Sequence, residues 1–428
     1  MTAKNIRIEK RTYNGIQTVT FNTPSGVDAT FVEISDTTAV AADVSSDKYF
    51  YTSAGVKTQG TNSGGSGGSD ADFKKYIERG NGNITLPSNL TLVGDNAFRN
   101  CFDLTLESLP DVVTSINVEA FANCTNLALT SLPNSLTYIG VSAFYNCINL
   151  ALTSLPSSVT YIGSYAFDTC TSLALTSLPN GITNISSYTF YNCTNLALTS
   201  LPSGVTSIGN YAFYNCTRLA LTSLPSGITS IYDHTFYKCT NLALTSLPSG
   251  ITSIDNYAFY NCQNLALTSL PSGITSINTY AFYNCKNLIN LNCAGLITTF
   301  GAYAFYNCTN LTSISFPNMT ADVGSYAFYK CSNLSFADMG KTARIYANAF
   351  NSCYKLTTLV LRKTEYVITL SNINAFTNTP MRGYNNLSGT VYVPSVLIED
   401  YKIADNWSTL YNNGTLAFVA IEGSQYEL

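Results

Sequence analysis

Charge is scarce in this sequence. Charged residues make up 11% of the 428 residues, with a formal net charge of −4, against about a quarter in average soluble domains. Lysine and arginine form no cluster, so nothing offers a basic field to a phosphate backbone, and we expect no nucleic-acid partner. The longest apolar runs are only a few residues long, which argues against a membrane span.

Groups that could build an active site are also few. His234 is the single histidine, and the repeats contain no nucleophile beside a base, no phosphate loop and no close carboxylate pair. The cysteine count, 13, is odd and includes no CxxC pair, so neither a zinc set nor a disulfide framework is indicated. We expect a protein that is not an enzyme and needs no metal or cofactor. The opening MTAKNIRIEKRTYNGIQ lacks the apolar core of a secretory signal, so no Sec leader is expected.

What the sequence does have is a repeat. Phenylalanine recurs from Phe98 to Phe376, ten times at intervals of 23 residues and then at 22 and 26. One unit, residues 198–220, reads LTSLPSGVTSIGNYAFYNCTRLA, with one apolar segment at the leucines, a second at Val205 and Ile208 and a third at the Ala-Phe pair. No unit can bury these residues alone, whereas units stacked at the spacing of paired strands bury them in one continuous core. About thirteen such coils predict a rod roughly 60 Å long.

The repeated pattern C-x-x-L…L-P-x-x-(V/I)-T-x-I-x-x-x-A-F-x-x-C, over about residues 84–380, resembles the BspA-like leucine-rich repeats of bacterial surface proteins and prophage-encoded proteins. The resemblance implies a right-handed solenoid of parallel β-coils with a strand on the concave side, irregular turns on the convex side and short helical caps. One departure concerns the strand, which reads L-x-L-x-x-L rather than the commoner L-x-x-(V/I)-x-(I/L). Its inward register is therefore expected to shift.

The flanks of the array differ from it in composition. Residues 1–60 largely alternate between apolar and polar types, which predicts short strands in a small anchoring module. Residues 61–69, TNSGGSGGS, are expected to form a flexible linker. Residues 70–83 predict a helix that caps the first coil, and residues 381–428 predict a C-terminal cap. In that cap we expect a helix at 395–404, followed by Trp407 packing on the last coil.

Two flanking segments carry resemblances of their own. Ala42 to Thr61, ADVSSDKYFYTSAGVKTQGT, resembles a short module in tail and fibre proteins of phages that infect Gram-positive bacteria. Gly389 to Ser408, GTVYVPSVLIEDYKIADNWS, is similar to the C-terminal caps of BspA-like proteins, many of them from prophages. Together they imply a virion or tail location.

Twelve of the cysteines lie at one phase of the repeat, three residues after each phenylalanine. In leucine-rich repeats this slot is a buried ladder, and a buried thiol behaves as a small apolar residue. His234 stands where neighbouring coils have tyrosine, which predicts that it replaces a stacking ring. The cysteines are Cys101, Cys124, Cys147, Cys170, Cys193, Cys216, Cys239, Cys262, Cys285, Cys308, Cys331 and Cys353.

Two columns of tyrosine are the candidate binding surface. The first column, two residues before the phenylalanine, contains Tyr165, Tyr188, Tyr211, Tyr257, Tyr280, Tyr303 and Tyr326. The second, one residue after it, contains Tyr145, Tyr191, Tyr214, Tyr237, Tyr260, Tyr283, Tyr306 and Tyr329. In a helical turn these positions are i and i+3 and share a face. The rings either contact a ligand or stack between coils for stability alone, and the sequence leaves both open.

A secondary candidate is the concave row of Ala197, Thr199 and their equivalents. The leading hypothesis is a phage tail or virion-associated protein that binds other tail proteins through its N-terminal module and a host glycan or protein through the solenoid. The alternatives are a bacterial or protist surface adhesin and a purely structural spacer. An oligomer is compatible with all three.

Overall fold

The structure, a computed structural model, describes residues 86 and 88–428 together with the backbone of five strands nearer the N-terminus. These five pair in sequence order into one sheet, in agreement with the short strands predicted for residues 1–60. The predicted linker at 61–69 and capping helix at 70–83 lie outside the described residues. The strands are Ile8–Tyr13, Ile16–Asn22, Asp28–Glu33, Tyr49–Tyr51 and Lys57–Gln59.

The repeats form a solenoid in which each coil lies directly on the previous one. Thirteen phenylalanine rings, from Phe98 to Phe376, stack in one unbroken core column with centroids 4.9–5.7 Å apart and planes within 14° of parallel. The period predicted this stack, because residues of equal phase must meet when coils superpose.

The regular strands of the solenoid lie at the T-x-I segment of each coil. They pair in parallel with a register of one repeat, as in Asn184 with Ser207 and Ile185 with Ile208. The isoleucine is buried and the preceding threonine is exposed. These strands are Leu92–Val93, Ser115–Ile116, Tyr138–Ile139, Tyr161–Ile162, Asn184–Ile185, Ser207–Ile208, Ser230–Ile231, Ser253–Ile254, Ser276–Ile277, Thr299–Phe300, Arg344–Ile345 and Thr369–Leu370.

The strand predicted at the leucine stretch is absent from the central coils, and that expectation was wrong there. Leu196 and Leu198 both point into the core, and the stretch makes one ladder bond per coil, such as Ala220 N–H to Leu198 O at 3.0 Å. The difference lies in the spacing of the apolar residues: the central coils place leucines at i, i+2 and i+5, which breaks the alternation of a strand. A proline at the same place does not prevent pairing, because Pro317 follows the strand Ser313–Ser315.

Strands do form at this stretch where the sequence returns to the commoner pattern. From residue 288 onward the coils read L-x-x-(L/I/A/L)-x-(C/F/M/L), and their alternating segments pair in one six-stranded sheet with two strands of the C-terminal cap. The departure from the family pattern therefore coincides with the loss of this strand, whereas only a shift of its inward register was expected. The six strands are Asn290–Asn292, Ser313–Ser315, Phe336–Asp338, Thr358–Val360, Gly389–Val393 and Leu416–Ala420.

The C-terminal cap closes the core with aromatic residues. The helix expected at 395–404 is present, and the indole N–H of Trp407, which is buried, donates to Ile368 O at 2.9 Å. The Trp407 ring lies 5.9 Å from that of Phe376, so the last ring of the core column is covered. The cap contains helices Ile398–Ile403 and Trp407–Asn412, and 3-10 turns lie at Ile373–Phe376, Pro380–Arg382, Tyr384–Asn386 and Ser395–Leu397.

The cysteine column is buried, as predicted. From Cys124 to Cys353, each of the eleven thiols lies 2.9–3.1 Å from the carbonyl oxygen of the preceding coil's phenylalanine. The thiol donates and the carbonyl accepts. The same carbonyl also accepts from the cysteine N–H of its own coil, as in Cys216 N–H to Phe213 O at 3.1 Å, so the thiol gives this buried acceptor a second hydrogen bond. Burial raises the pKa of the Cys193 and Cys262 thiols well above its usual value.

Candidate binding surface

Both tyrosine columns lie on the turn that joins the T-x-I strand to the leucine stretch. The turn is not the helical turn that the i, i+3 spacing suggested. Two of its residues per coil are left-handed, as in Tyr211 at φ 58° and Asn215 at φ 56°, a conformation that is uncommon for residues other than glycine. The first of these residues is the tyrosine of the first column.

Hydrogen bonds between coils hold this turn in place. The N–H groups of Tyr211, Phe213 and Asn215 each donate to a backbone carbonyl oxygen of the next coil, at 3.0, 3.0 and 2.7 Å. The three acceptors belong to alternate residues of that coil. The Asn215 side-chain amide also donates to Asn192 Oδ1 at 2.7 Å. Each left-handed residue is thus fixed by its neighbours, so the rings of successive coils emerge at the same place and in the same orientation.

The rings form two continuous ladders. In the first column eight rings from Tyr165 to Tyr326 stack at 4.4–4.9 Å. In the second, seven rings from Tyr191 to Tyr329 stack at 4.4–5.0 Å. The two columns contact each other through tilted pairs 5.4–6.4 Å apart. We call the two ladders together the aromatic ribbon.

The ribbon is both a packing element and a surface. Its rings stack face to face between coils, each pair being worth about 0.5–1.5 kcal/mol beyond the area it buries. Yet none of these side chains is buried: Tyr165 is exposed and the others are half-buried. The rings therefore do stack between coils, as one of the two alternatives predicted. They also keep part of their surface in contact with solvent, so they remain available to a ligand.

The ribbon carries no charge of its own at physiological pH. Burial, followed by the neighbouring Tyr214, raises the pKa of Tyr237 to about 12, and burial and the neighbouring Tyr260 do the same to Tyr283. These two phenols therefore stay protonated and can both donate and accept hydrogen bonds.

His234 occupies a ring position of the first column, as predicted. Its imidazole lies 4.4 Å from the Tyr211 ring and 4.6 Å from the Tyr257 ring, nearly parallel to both. Its Nδ1 is buried without a hydrogen-bond partner, and burial lowers the pKa of the imidazole despite the nearby Asp233 carboxylate. The neutral ring is a spacer in the stack.

The second column is interrupted at one coil. Asp168 stands in the slot between Tyr145 and Tyr191, and it is only 6% exposed. Its Oδ1 accepts a hydrogen bond from the Thr169 hydroxyl at 2.7 Å, while burial raises the pKa of the carboxyl to about 6. Tyr145 therefore lies apart from the rest of its column, which the periodic pattern alone did not reveal.

The first coils lack the ribbon and contain a cavity in its place. The cavity holds about 230 Å³ and is lined by Arg99, Glu119, Ala122, Asn123, Ser142, Tyr145 and Tyr165. Sequence reasoning missed this site, although a signal was available: Ser142 and Glu119 stand in the first-column slot, and Ala122 and Arg99 in the second.

The secondary candidates lie on a different segment of the coil. Ala197 is half-buried and Thr199 is exposed, and both belong to the leucine stretch. Among the residues that the structure describes, no three histidine, cysteine, aspartate or glutamate side chains come close enough to hold a metal ion. In the same part of the chain, no helix is long and apolar enough to cross a membrane.

A family model described as a BspA type leucine-rich repeat region matches residues 78–174, 162–289 and 252–382. A leucine-rich repeat protein from Bacteroides ovatus is 24% identical, with 99% of this chain and 100% of that chain covered and a TM-score of 0.59. A leucine-rich cell surface protein from Faecalibacterium prausnitzii is 21% identical over 90% and 94% of the chains, with a TM-score of 0.42. The pneumococcal vaccine antigen PcpA is 14% identical over 96% and 98%, with a TM-score of 0.43. No curated protein matches this chain.

Proposed function

Since this chain belongs to the BspA-type leucine-rich-repeat family, we propose that it is a non-catalytic adhesin-like scaffold at or outside a bacterial surface, and that it binds host or mucosal surfaces through the aromatic ribbon. The observation that carries the proposal is the continuous pair of ring ladders from Tyr165 to Tyr329, none of whose rings is buried.

The ribbon suits a weak and repeated contact. Successive coils present the same ring edges and hydroxyls at regular intervals along the solenoid, each interval being about the distance between stacked rings. A long ligand therefore meets many equivalent contacts. Affinity then comes from multiplicity rather than from any one site. Rings held by stacking lose little further freedom on binding, which lowers the entropic cost of each contact. The expected partner is a surface glycan or protein rather than a small molecule.

The cell-surface location is preferred to the virion. The family match spans the repeats, which resemble those of bacterial surface proteins. The virion location rests only on the short resemblances at 42–61 and 389–408. A tail role, with other virion proteins bound by residues 1–60, would need support from these flanking segments.

The buried cysteine column makes a sharp test possible. A cysteine introduced at exposed Asn210, beside Tyr211, or at exposed Ser200, on the leucine stretch, would be the one readily accessible thiol of the solenoid. Coupling a polyethylene glycol chain to each variant masks one face without altering the ring stack. We expect the Asn210→Cys conjugate to lose adhesion to epithelial cells or mucin, and the Ser200→Cys conjugate to retain it.

The reverse result would assign binding to the row of Ala197 and Thr199. Retained adhesion in both conjugates would refute a solenoid-mediated contact. A second variant, Tyr214, Tyr237 and Tyr260 changed together to serine, should lose adhesion while its circular dichroism remains native. If this variant folds and still adheres, the ribbon is not the contact surface.

A further inference from the structure

The cavity at the N-terminal end of the ribbon is a gap in the ring stack. Tyr165 stacks on Tyr188 at 4.5 Å, and the next slot of the first column toward the N-terminus holds Ser142 instead of a ring. Ser142 has φ 54° and Tyr165 has φ 58°, so the backbone of the slot is the one that carries a tyrosine elsewhere. The ladder ends because a side chain is missing, not because the coil differs.

The two tyrosines that line the gap are distinguished by exposure. Tyr145 is 38% exposed and Tyr165 is 37% exposed, whereas the other thirteen tyrosines of the two columns are half-buried. Small residues in both columns, Ser142 in the first and Ala122 in the second, leave these rings uncovered on the side that lines the cavity. An uncovered ring face in a stacked series is a ready platform for another flat, apolar face.

The rest of the cavity lining is largely polar. Arg99 Nη1 and Glu119 Oε2 form an ion pair at 2.5 Å, so the charges of the lining cancel. Asn123 lies beside them and is held in place by its neighbours, donating to Asn100 Oδ1 at 2.8 Å and accepting from Asn146 Nδ2 at 3.0 Å. Carboxylate, guanidinium and amide groups together accept and donate several hydrogen bonds within one small volume.

We propose that this cavity binds one pyranose ring of a neutral glycan. The C–H face of the sugar stacks on Tyr165 in the slot above Ser142, and its hydroxyls bond to Glu119, Arg99 and Asn123. The volume, about 230 Å³, lies below the roughly 300–1,000 Å³ of pockets for drug-sized ligands, which fits one ring rather than an extended chain.

The lining favours a sugar over an aromatic side chain of a protein partner. A phenyl ring would displace solvent from Arg99, Glu119 and Asn123 and offer no hydrogen bond to the donors and acceptors that their mutual contacts leave unused. A sugar offers a hydroxyl to each of them while presenting an apolar face to Tyr165. This inference deepens the proposed surface-binding function and rests on it, because it names the chemistry of one contact at the end of the ribbon.

The test fills the slot. Saturation-transfer NMR of the full chain with methyl glycosides of glucose, galactose, mannose and the two N-acetylhexosamines should identify at least one sugar that binds. Ser142→Tyr continues the stack into the cavity and should abolish this transfer. Asn348→Tyr is the matched control: Asn348, at φ 59°, follows Tyr326 in the first column, so the variant lengthens the ladder at its other end and should bind as the wild type does.

A second variant removes one charge from the polar lining and keeps the slot empty. Glu119→Gln should weaken binding by about tenfold, since hydrogen bonds to a charged acceptor are the strong ones. The inference is overturned if none of the five glycosides binds, if Ser142→Tyr binds as well as Asn348→Tyr, or if N-acetyltyrosine amide binds in the slot and the sugars do not. If Ser142→Tyr loses sugar binding but the variant still adheres, the cavity and the ribbon are separate binding sites. The contribution of the ribbon to adhesion is tested independently by the Asn210→Cys conjugate.

Discussion

The buried carboxyl of Asp168 should make one part of the solenoid sensitive to pH. Burial raises its pKa from 3.8 to about 6, so the folded state favours the protonated form. The stability that this group contributes is fully present below pH 3.8 and is lost as the pH rises through about 6. At about 1.4 kcal/mol per unit, the loss at neutral pH approaches about 3 kcal/mol.

Asp168→Asn removes the ionisation and keeps the shape, including an oxygen that can accept from the Thr169 hydroxyl. The variant should be more stable than the wild type by up to about 3 kcal/mol at pH 7.5 and nearly equal to it at pH 3.5. Urea unfolding at the two pH values measures the difference. Hydrogen exchange of residues 142–192 supplies a local reading, because a solenoid need not unfold in one step.

The control is Asp111→Asn, at an exposed aspartate, which should shift stability by less than about 0.5 kcal/mol at either pH. If the difference in free energy of unfolding between Asp168→Asn and the wild type is the same at pH 3.5 and 7.5, ionisation is not its cause. If the two proteins have the same free energy of unfolding at pH 7.5, the buried carboxylate does not destabilise the fold.

Three further predictions concern the solenoid itself. Thiol titration of the native protein should find few reactive groups, and denaturation without reductant should release close to all 13; release of one alone would mean six disulfides. Deleting one unit, residues 198–220, should leave a folded, shorter rod by circular dichroism, whereas deleting residues 389–428 should cause aggregation by light scattering; the opposite pattern would contradict nearest-neighbour stability. Arg362→Ala should cost about 3–5 kcal/mol in chemical denaturation, since Arg362 Nη2 binds Asp338 Oδ2 at 2.6 Å with side chains only 10% and 3% exposed; a loss below about 1 kcal/mol would contradict a buried pair.

The period made the core of this protein predictable. A fixed spacing of 23 residues states which residues are equivalent, and stacking brings equivalents together, so the phenylalanine and cysteine columns follow from the sequence. The position of His234 followed in the same way, because its slot is occupied by rings in the coils on either side.

The conformation within a coil was less predictable. Alternation at Leu196 and Leu198 resembles a strand, but the next leucine, Leu201, is out of phase with it, and no paired strand forms in these coils. The turn was equally hidden, since i and i+3 spacing fits a helix as well as a turn with two left-handed residues. A signal for the turn did exist: asparagine, which tolerates left-handed φ better than most residues, recurs two residues after the phenylalanine at Asn100, Asn123 and Asn146.

In a regular solenoid, the positions that break the period carry the most information about function. The central coils are nearly interchangeable, so no one of their tyrosines can specify a ligand, and a ring replaced by His234 leaves the stack intact. The departures at Ser142 and Ala122 act differently, because they remove rings from adjacent coils and leave Tyr145 and Tyr165 open beside the Arg99–Glu119 pair. A repeat that only needed stability would gain from rings in both slots, at about 0.5–1.5 kcal/mol per stacked pair. The ribbon also ends without a ring at Asn348, so a missing ring alone assigns no site. At the N-terminal end the missing rings adjoin a cavity and the Arg99–Glu119 pair, and this combination favours a ligand there.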